Sequence, residues 1–268
     1  MRIAIMSDIH GNIVALDAVL AAIEAEGGVD EHWILGDIVE AGPAPVAVLE
    51  RIAALPRTRC IRGNTDRYVF VGGPIRFFAP GDPPAMNLEA AGAIAWTQGM
   101  VTAGGWLPWL EALPLEIRTV LPNGAQVLAV HAAPGRDAGL GIKVGLTEAE
   151  LTLVLSKVEA DLIFGGHHHR PLDTMVQGKR VVNVGSVSIP FPPDLRASYA
   201  LLTADQRGYQ VALRRVDYDR EAVIAEVERL RHPGMGYIVN HLRGLRQSTG
   251  RDFIEQHLRE LRQGAEDG

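Results

Sequence analysis

Apolar positions along the 268-residue chain fall into short blocks that alternate with amphipathic stretches. Arg2 to Ser7 is an apolar block predicted as a strand, and it runs into a polar turn, Asp8-Ile9-His10-Gly11-Asn12. Leu16, Val19, Leu20 and Ile23 then recur at helical spacing, and Gly27-Gly28 stops that helix. His32 to Leu35 reads as a second strand ending at Gly36-Asp37, Pro45 to Leu55 as a helix, and Arg57 to Ile61 as a third strand ending at Gly63-Asn64. Strands alternating with helices in this way imply parallel pairing through crossover connections.

The pattern changes in the middle of the chain. Val71 to Met86 is rich in Gly and Pro and is predicted as a long loop. It follows Gly63–Asp66 directly, so it suits a lid or pocket wall, with Phe77 and Phe78 placed to pack on a base or aromatic ester. Helical stretches follow near Leu88–Gln98 and Gly105–Ala112. Glu116–Leu121 and Gln126–Val130 flank the turn Pro122-Asn123-Gly124 and read as a hairpin. Thr147 with Glu150 makes a capping box for a helix expected to run to about Val158. Leu162–Phe164 is another buried strand, ending in Gly165-Gly166, and further hairpins centre on Gln177-Gly178-Lys179 and Gln206-Arg207-Gly208. From Asp219 onward the pattern is helical. Early parallel units followed by antiparallel strands predict an α/β fold: two packed mixed sheets flanked by helices, a four-layer α/β/β/α sandwich. The expected domain covers residues 1–218, with a helical C-terminal extension, 219–268, packed on it.

Composition narrows the function. A formal net charge of -6 lacks the basic footprint of a protein that grips nucleic-acid backbone, so nucleic acid is not an expected partner. No run of about 18 apolar residues occurs, so no membrane span is expected. A single cysteine, Cys60, excludes an intramolecular disulfide and fits a cytoplasmic location. Oligomeric state is left open by the sequence, although the helical tail offers a surface for a partner.

Five short motifs sit at predicted strand ends or in the turns after them: Asp8-Ile9-His10, Gly36-Asp37, Gly63-Asn64-Thr65-Asp66, His131 and Gly166-His167-His168-His169. Open α/β sheets place ligands at these ends. Carboxylate, imidazole and amide oxygen are the donors that hard and borderline metals accept. Five of the nine histidines lie in the motifs, whereas His32, His232, His241 and His257 read as structural or solvent-facing.

The order D-x-H, G-D, G-N, H, G-H-x-H resembles the calcineurin-like metallophosphoesterases over roughly residues 1 to 190. Gly36-Asp37-Ile38-Val39 followed by Gly42-Pro43 is most similar to the small prokaryotic phosphodiesterase branch. The resemblance implies two divalent metal ions, manganese first and iron, zinc, nickel or cobalt as alternatives. One would be held by Asp8, His10, Asp37 and His169, the other by Asp37, Asn64, His131 and His167, with Asp37 bridging. Two such ions about 3.5–4 Å apart clamp a phosphate and generate a hydroxide nucleophile from a bridging water. They bring four positive charges, of which Asp8 and Asp37 cancel two. A hydroxide and a singly charged diester neutralise the rest, so an anionic ester is the expected substrate despite the acidic chain.

The chain departs from the family at Thr65, where many relatives carry a histidine that protonates the leaving oxygen. Threonine does not titrate near neutral pH, which leaves His168, or a water held by Asp66, as alternative proton sources. Asp66 reads either as a group that orients a ligand or as a turn cap. The resulting expectation is a phosphodiesterase acting on a small or nucleotide-like phosphate ester. The competing readings are a phosphomonoesterase or nucleoside-polyphosphate hydrolase, and a non-catalytic scaffold on the same fold.

Overall fold

The computed structural model describes residues 1–71, 84–156, 158–245 and 251–266. The first sheet begins with β1 (Arg2–Met6), β2 (Glu31–Ile34) and β3 (Thr58–Cys60), which run parallel. Two helices, α1 (Ile13–Ala25) and α2 (Pro45–Ala54), make the crossovers. Asn12 starts α1 by accepting the Ala15 N–H at 3.0 Å, so one residue of the first motif also caps the helix. The long antiparallel pair β9 (Ala197–Asp205) and β10 (Gly208–Val216) completes this sheet, in the order β10-β9-β1-β2-β3.

The second sheet comes from β4 (Glu116–Val120), β5 (Gln126–Val130), β6 (Leu162–Gly165), β7 (Leu172–Val176) and β8 (Lys179–Asn183), in the order β4-β5-β6-β8-β7. Its centre, β5-β6-β8, is parallel and its edges are antiparallel. Side chains alternate along β1, and each set finds its own core. Ile3 and Ile5 meet Phe164, Ala129 and Val182 between the sheets, while Ala4 and Met6 pack outward with Leu16, Val19, Leu49 and Ile52. The outer face of the second sheet is covered by α6 (Glu148–Val154) and α9 (Arg251–Glu266), through Leu151, Val154, Ile254 and Leu258. The expected four-layer sandwich is therefore the observed one.

Some expectations need correction. Asn64 does not lie in a turn but opens α3 (Asn64–Val71). The region read as a loop from Val71 to Met86 contains the end of α3 and the start of α4 (Pro84–Ala103), whose first residue is a proline, suited to the first helical turn. Residues 72–83, with Phe77 and Phe78, lie outside the described residues. The helix capped by the Thr147–Glu150 box stops at Val154, four residues short of Val158, although both bonds of the box form. A short α5 (Leu107–Glu111) precedes β4. The C-terminal part carries α7 (Arg220–Arg229) and α8 (Met235–Leu242), whose Val223, Ile224, Val227, Ile238 and Leu242 pack with Ala41, Ala93 and Ile189. Among the described residues, no helix is long and apolar enough to cross a membrane.

Candidate metal centre

Parallel strands put the ends of β1, β2 and β3 on one edge of the first sheet, and those of β5 and β6 meet them from the second. Backbone bonds tie the turns together: Asp8 N–H to Gly36 O at 3.0 Å, His10 N–H to Asp37 O at 2.9 Å, and Gly166 N–H to His131 O at 2.9 Å. Turning sharply inward is costly for side-chain-bearing residues, yet Asp8, His10, Asp37, His167 and His169 all have positive φ, between 50° and 69°. Two glycines permit the approach. A Cβ on Gly63 would strike the Asp37 carboxylate, and one on Gly166 would strike Ser7 and come within 2.7 Å of Asp8 Oδ2.

These turns bring together two groups of donors. Asp8, His10, Asp37 and His169 offer atoms within 4.8 Å of one another, as do Asp37, His131 and His167, so Asp37 belongs to both. Asn64 joins the second group, its Oδ1 lying 3.2 Å from His131 Nε2. The cluster is buried apart from the half-buried His167, with Asp8 and His131 fully inaccessible to solvent.

The imidazole tautomers decide what the cluster fits. A carbonyl oxygen can only accept, so each ring nitrogen facing one carries the proton. His10 Nδ1 faces Glu40 O, His169 Nδ1 faces Ile189 O at 3.0 Å, and His131 Nδ1 faces Leu35 O at 2.6 Å. His167 donates through Nε2 to Gly139 O at 3.1 Å, which leaves Nδ1 as its lone pair. In the first group the Nε2 lone pairs of His10 and His169 therefore face each other at 3.3 Å, with Asp8 Oδ1 3.1 Å from His169 Nε2 and without a hydrogen-bond partner. In the second, His131 Nε2 stands 3.4 Å from Asp37 Oδ1. Acceptors converging in a buried site need a cation between them, and the Asp, His and Asn set suits a divalent metal.

Protonation without metal expresses the same demand. Burial alone would lower His131, but the Asp37 and Asp8 carboxylates push it up to about 10. Burial alone would raise Asp37, but His131 and His10 hold it well below the usual carboxylate range. Burial, and then the His131 charge, bring His167 down to about 4.

The remaining sequence candidates surround this cluster. Asp66 is fully buried and ties the two loops: Oδ1 accepts from Ile38 N–H at 2.8 Å and Val39 N–H at 3.3 Å, and Oδ2 from Gly63 N–H at 2.9 Å. Thr65 donates its backbone N–H to Asp37 Oδ1 at 2.9 Å, while its buried Oγ1 has no hydrogen-bond partner. His168 is not in either donor group. Its Nε2 accepts the Gly141 N–H at 3.3 Å, and burial, then His167 and Lys143, hold its pKa well below the ordinary value. Several participants gave no readable signal in the sequence. The carbonyls of Leu35, Glu40, Gly139 and Ile189 set the tautomers, and any residue type supplies a carbonyl. The Glu40 side chain is buried beside the centre and is raised to about 8 by burial and then by Asp37 and Asp66. Arg62 and Arg67, flanking Gly63–Asp66, both pair with Asp137, at 3.0 and 2.9 Å.

The sandwich and its shared-carboxylate cluster define a metal-binding α/β fold of the phosphoesterase type, and comparison with known proteins agrees. The calcineurin-like phosphoesterase superfamily domain matches residues 1–207. An uncharacterised protein of Methanocaldococcus jannaschii is 30% identical, over 86% of this chain and 93% of its own. The symmetrical bis(5'-nucleosyl)-tetraphosphatase of Burkholderia mallei is 37% identical over 39% of this chain, a match spanning 41% of that protein's length. Among solved structures, a metallophosphoesterase from Sphaerobacter thermophilus has a TM-score of 0.72 and 28% identity, covering 91% of this chain and 98% of that one. A hypothetical protein of Pyrococcus horikoshii shares the fold with a TM-score of 0.75 and 22% identity, covering 90% and 97%. The chain belongs to the calcineurin-like phosphoesterase superfamily.

Proposed function

We propose that this protein is a dinuclear-metal phosphoesterase that hydrolyses the phosphodiester bond of a small or nucleotide-like substrate. Asp8, His10, Asp37 and His169 would hold one divalent ion and Asp37, Asn64, His131 and His167 the other. The observation that carries the reading is the convergence of tautomer-fixed lone pairs and carboxylates on two groups sharing Asp37. When bound, the ions supply Lewis acidity toward a phosphoryl oxygen and lower the pKa of water. The protein's own part is to hold the ligands. Carbonyls fix four imidazoles, Asp66 locks the Asp37 loop to the Asn64 helix, and the Thr65 N–H steadies the Asp37 carboxylate. Neither Thr65 nor a neutral, buried His168 suits the role of general acid, so the leaving oxygen departs with little help from a side chain.

The name of the Burkholderia relative supports a nucleotide-like substrate. Manganese is the first choice of metal; iron, zinc, nickel and cobalt have ligand preferences that this donor set also meets. The same reading takes residues 1–218 as the metallophosphoesterase domain and 219–268 as a helical extension, supported by the packing of α7 and α8 on Ala41 and Ile189. A single cysteine supports a cytoplasmic location.

The test is hydrolysis of a panel of phosphate mono- and diesters after loading with each metal, with metal content measured in parallel. Turnover of diesters at two equivalents of metal is the expected result. Fast turnover of monoesters alone would favour a phosphomonoesterase, and full loading without turnover of any ester would leave the scaffold reading.

A further inference from the structure

Beside the metal centre, on the side of His169, lies a cleft of about 220 Å³ bordered by His169, Arg170, Phe191, Pro190, Pro192 and Pro193. Prolines carry no N–H, so these three offer ring carbons and no backbone donor. The carboxylate at the border, Asp194, is engaged by Arg196 at 2.7 Å and Arg215 at 2.9 Å. Arg170 gives one Nη2 hydrogen to the Pro192 carbonyl at 3.0 Å, and its Nε is buried without a hydrogen-bond partner. The guanidinium edge is mostly taken up, and its plane is the surface that suits a ring.

Phe191 completes the apolar wall. Its half-buried ring lies against the imidazole of His169, with centroids 5.7 Å apart and planes 29° from parallel. The Arg170 guanidinium carbon is 6.0 Å from the ring centroid, and His241 of α8 comes within 6.4 Å. A ring held by three neighbours loses little freedom when a ligand packs on it, which favours binding. Its place also has the right span. In a nucleotide one sugar separates phosphate from base; here one imidazole, that of a proposed metal ligand, separates the metal position from Phe191.

We propose that this cleft is the subsite for a planar, uncharged ring carried by the substrate, a nucleobase in a nucleotide ester, with Phe191 as the residue that sets the preference for such esters. Its place in catalysis rests on the phosphoesterase reading; its ligand chemistry does not.

The test is equilibrium binding to the metal-loaded, full-length protein. The ligands are the methylene phosphonate analogues of AMP and of ribose 5-phosphate, which differ by the base and lack the P–O–C bond that hydrolysis would break. The base is expected to tighten binding about tenfold or more in the wild type, as stacking does. Phe191→Ala should remove most of that gain while metal content is kept and the ribose analogue binds within about threefold of the wild type. Phe191→Tyr should retain the gain, and Arg170→Gln should lose part of it. Thermal unfolding verifies that each variant is folded, and Phe191→Leu, which keeps apolar bulk against His169, takes the place of an alanine variant that is not. The subsite is overturned by no gain in the wild type, or by a gain that survives loss of the aromatic ring. Equal weakening of both ligands overturns it too: in Phe191→Ala it would make Phe191 a support for His169 alone, and in Arg170→Gln it would give the cleft to the phosphate. A protein that hydrolyses no ester yet shows the gain and its loss would keep the subsite and lose the phosphoesterase reading. One that hydrolyses simple diesters without the gain would do the reverse.

Discussion

Replacing Asp66 with alanine should loosen the metal centre without touching a ligand. Its carboxylate accepts three backbone N–H groups, from Ile38, Val39 and Gly63, in a fully buried position. Alanine leaves those donors unmet, at about 1–3 kcal/mol each, with the 3.3 Å bond to Val39 at the weak end. The total is roughly 3–6 kcal/mol. At about 2–4 °C per kcal/mol for a chain of this size, the Tm should fall by roughly 6–24 °C. Asp66→Asn should do less harm, because its carbonyl can still serve Ile38 and Val39 while its amide nitrogen faces the Gly63 N–H, donor against donor. The stability order is therefore wild type, Asn, Ala. Asp37 lies one residue before Ile38 and Asn64 one after Gly63, so slack in these loops reaches both donor groups. Turnover of a nitrophenyl diester should drop about 10- to 100-fold in the folded Asn variant, as for groups that orient metal ligands. Thermal unfolding and steady-state kinetics on the two variants decide the matter. An alanine variant melting within about 2 °C of the wild type at full activity, or an inverted order, would refute the reasoning.

Other outcomes follow from the same geometry. Asp37→Asn should lower metal content at both positions and abolish turnover, and two full equivalents by metal analysis in an active variant would exclude a bridging role. Rates should depend steeply on leaving-group pKa, and Thr65→His should speed poor leaving groups by about 10²-fold or more while leaving nitrophenyl diesters little changed. A shallow slope in the wild type that steepens in His168→Ala would instead make His168 the acid. Glu40 has its pKa raised from 4.5 to about 8 in the fold, so the metal-free native state holds this proton more tightly than the unfolded chain does. The carboxyl's contribution is favourable below about 4.5 and is lost as pH rises through about 8. Metal-free Glu40→Gln should therefore gain on the wild type across that window in thermal unfolding, and a Tm difference that does not vary with pH would count against it.

The architecture was legible because the central strands are buried on both faces. Met6, Leu35, Val130 and Phe164 close apolar blocks whose next residues are turns carrying carboxylate or imidazole. Position at a strand end could be read from that contrast alone. The start of α3 was not legible, since Gly63-Asn64 has the composition of a turn and the helix begins within the motif itself. Asp66 was ambiguous for a related reason: a carboxylate three residues after a glycine suits a turn cap, and it does accept the Gly63 N–H, but its bonds to Ile38 and Val39 are long-range and leave no local trace.

Strand termination links fold and site more closely than the motifs suggest. Where β2 ends, the Leu35 N–H still bonds Met6 O at 2.8 Å, but the Leu35 carbonyl is free to turn across the gap between the sheets. It accepts from Ser7 Oγ at 3.1 Å and from His131 Nδ1 at 2.6 Å. One backbone group thus joins the first sheet to a ligand of the second and fixes which nitrogen of that ligand faces Asp37. Ile189 does the same for His169 from the segment leading into β9, and Glu40 for His10 from the loop after Asp37. A ladder carbonyl inside a strand is already committed to its neighbour, so these orienting acceptors come from outside the ladders, Leu35 just past the end of β2 and Glu40, Gly139 and Ile189 from loops. The turns after the strands project the carboxylates and imidazoles inward. The four imidazoles thus take their tautomers from backbone carbonyls, one at a strand end and three in the loops that carry or adjoin the ligands, which ties the protonation geometry of the site to the path of the backbone.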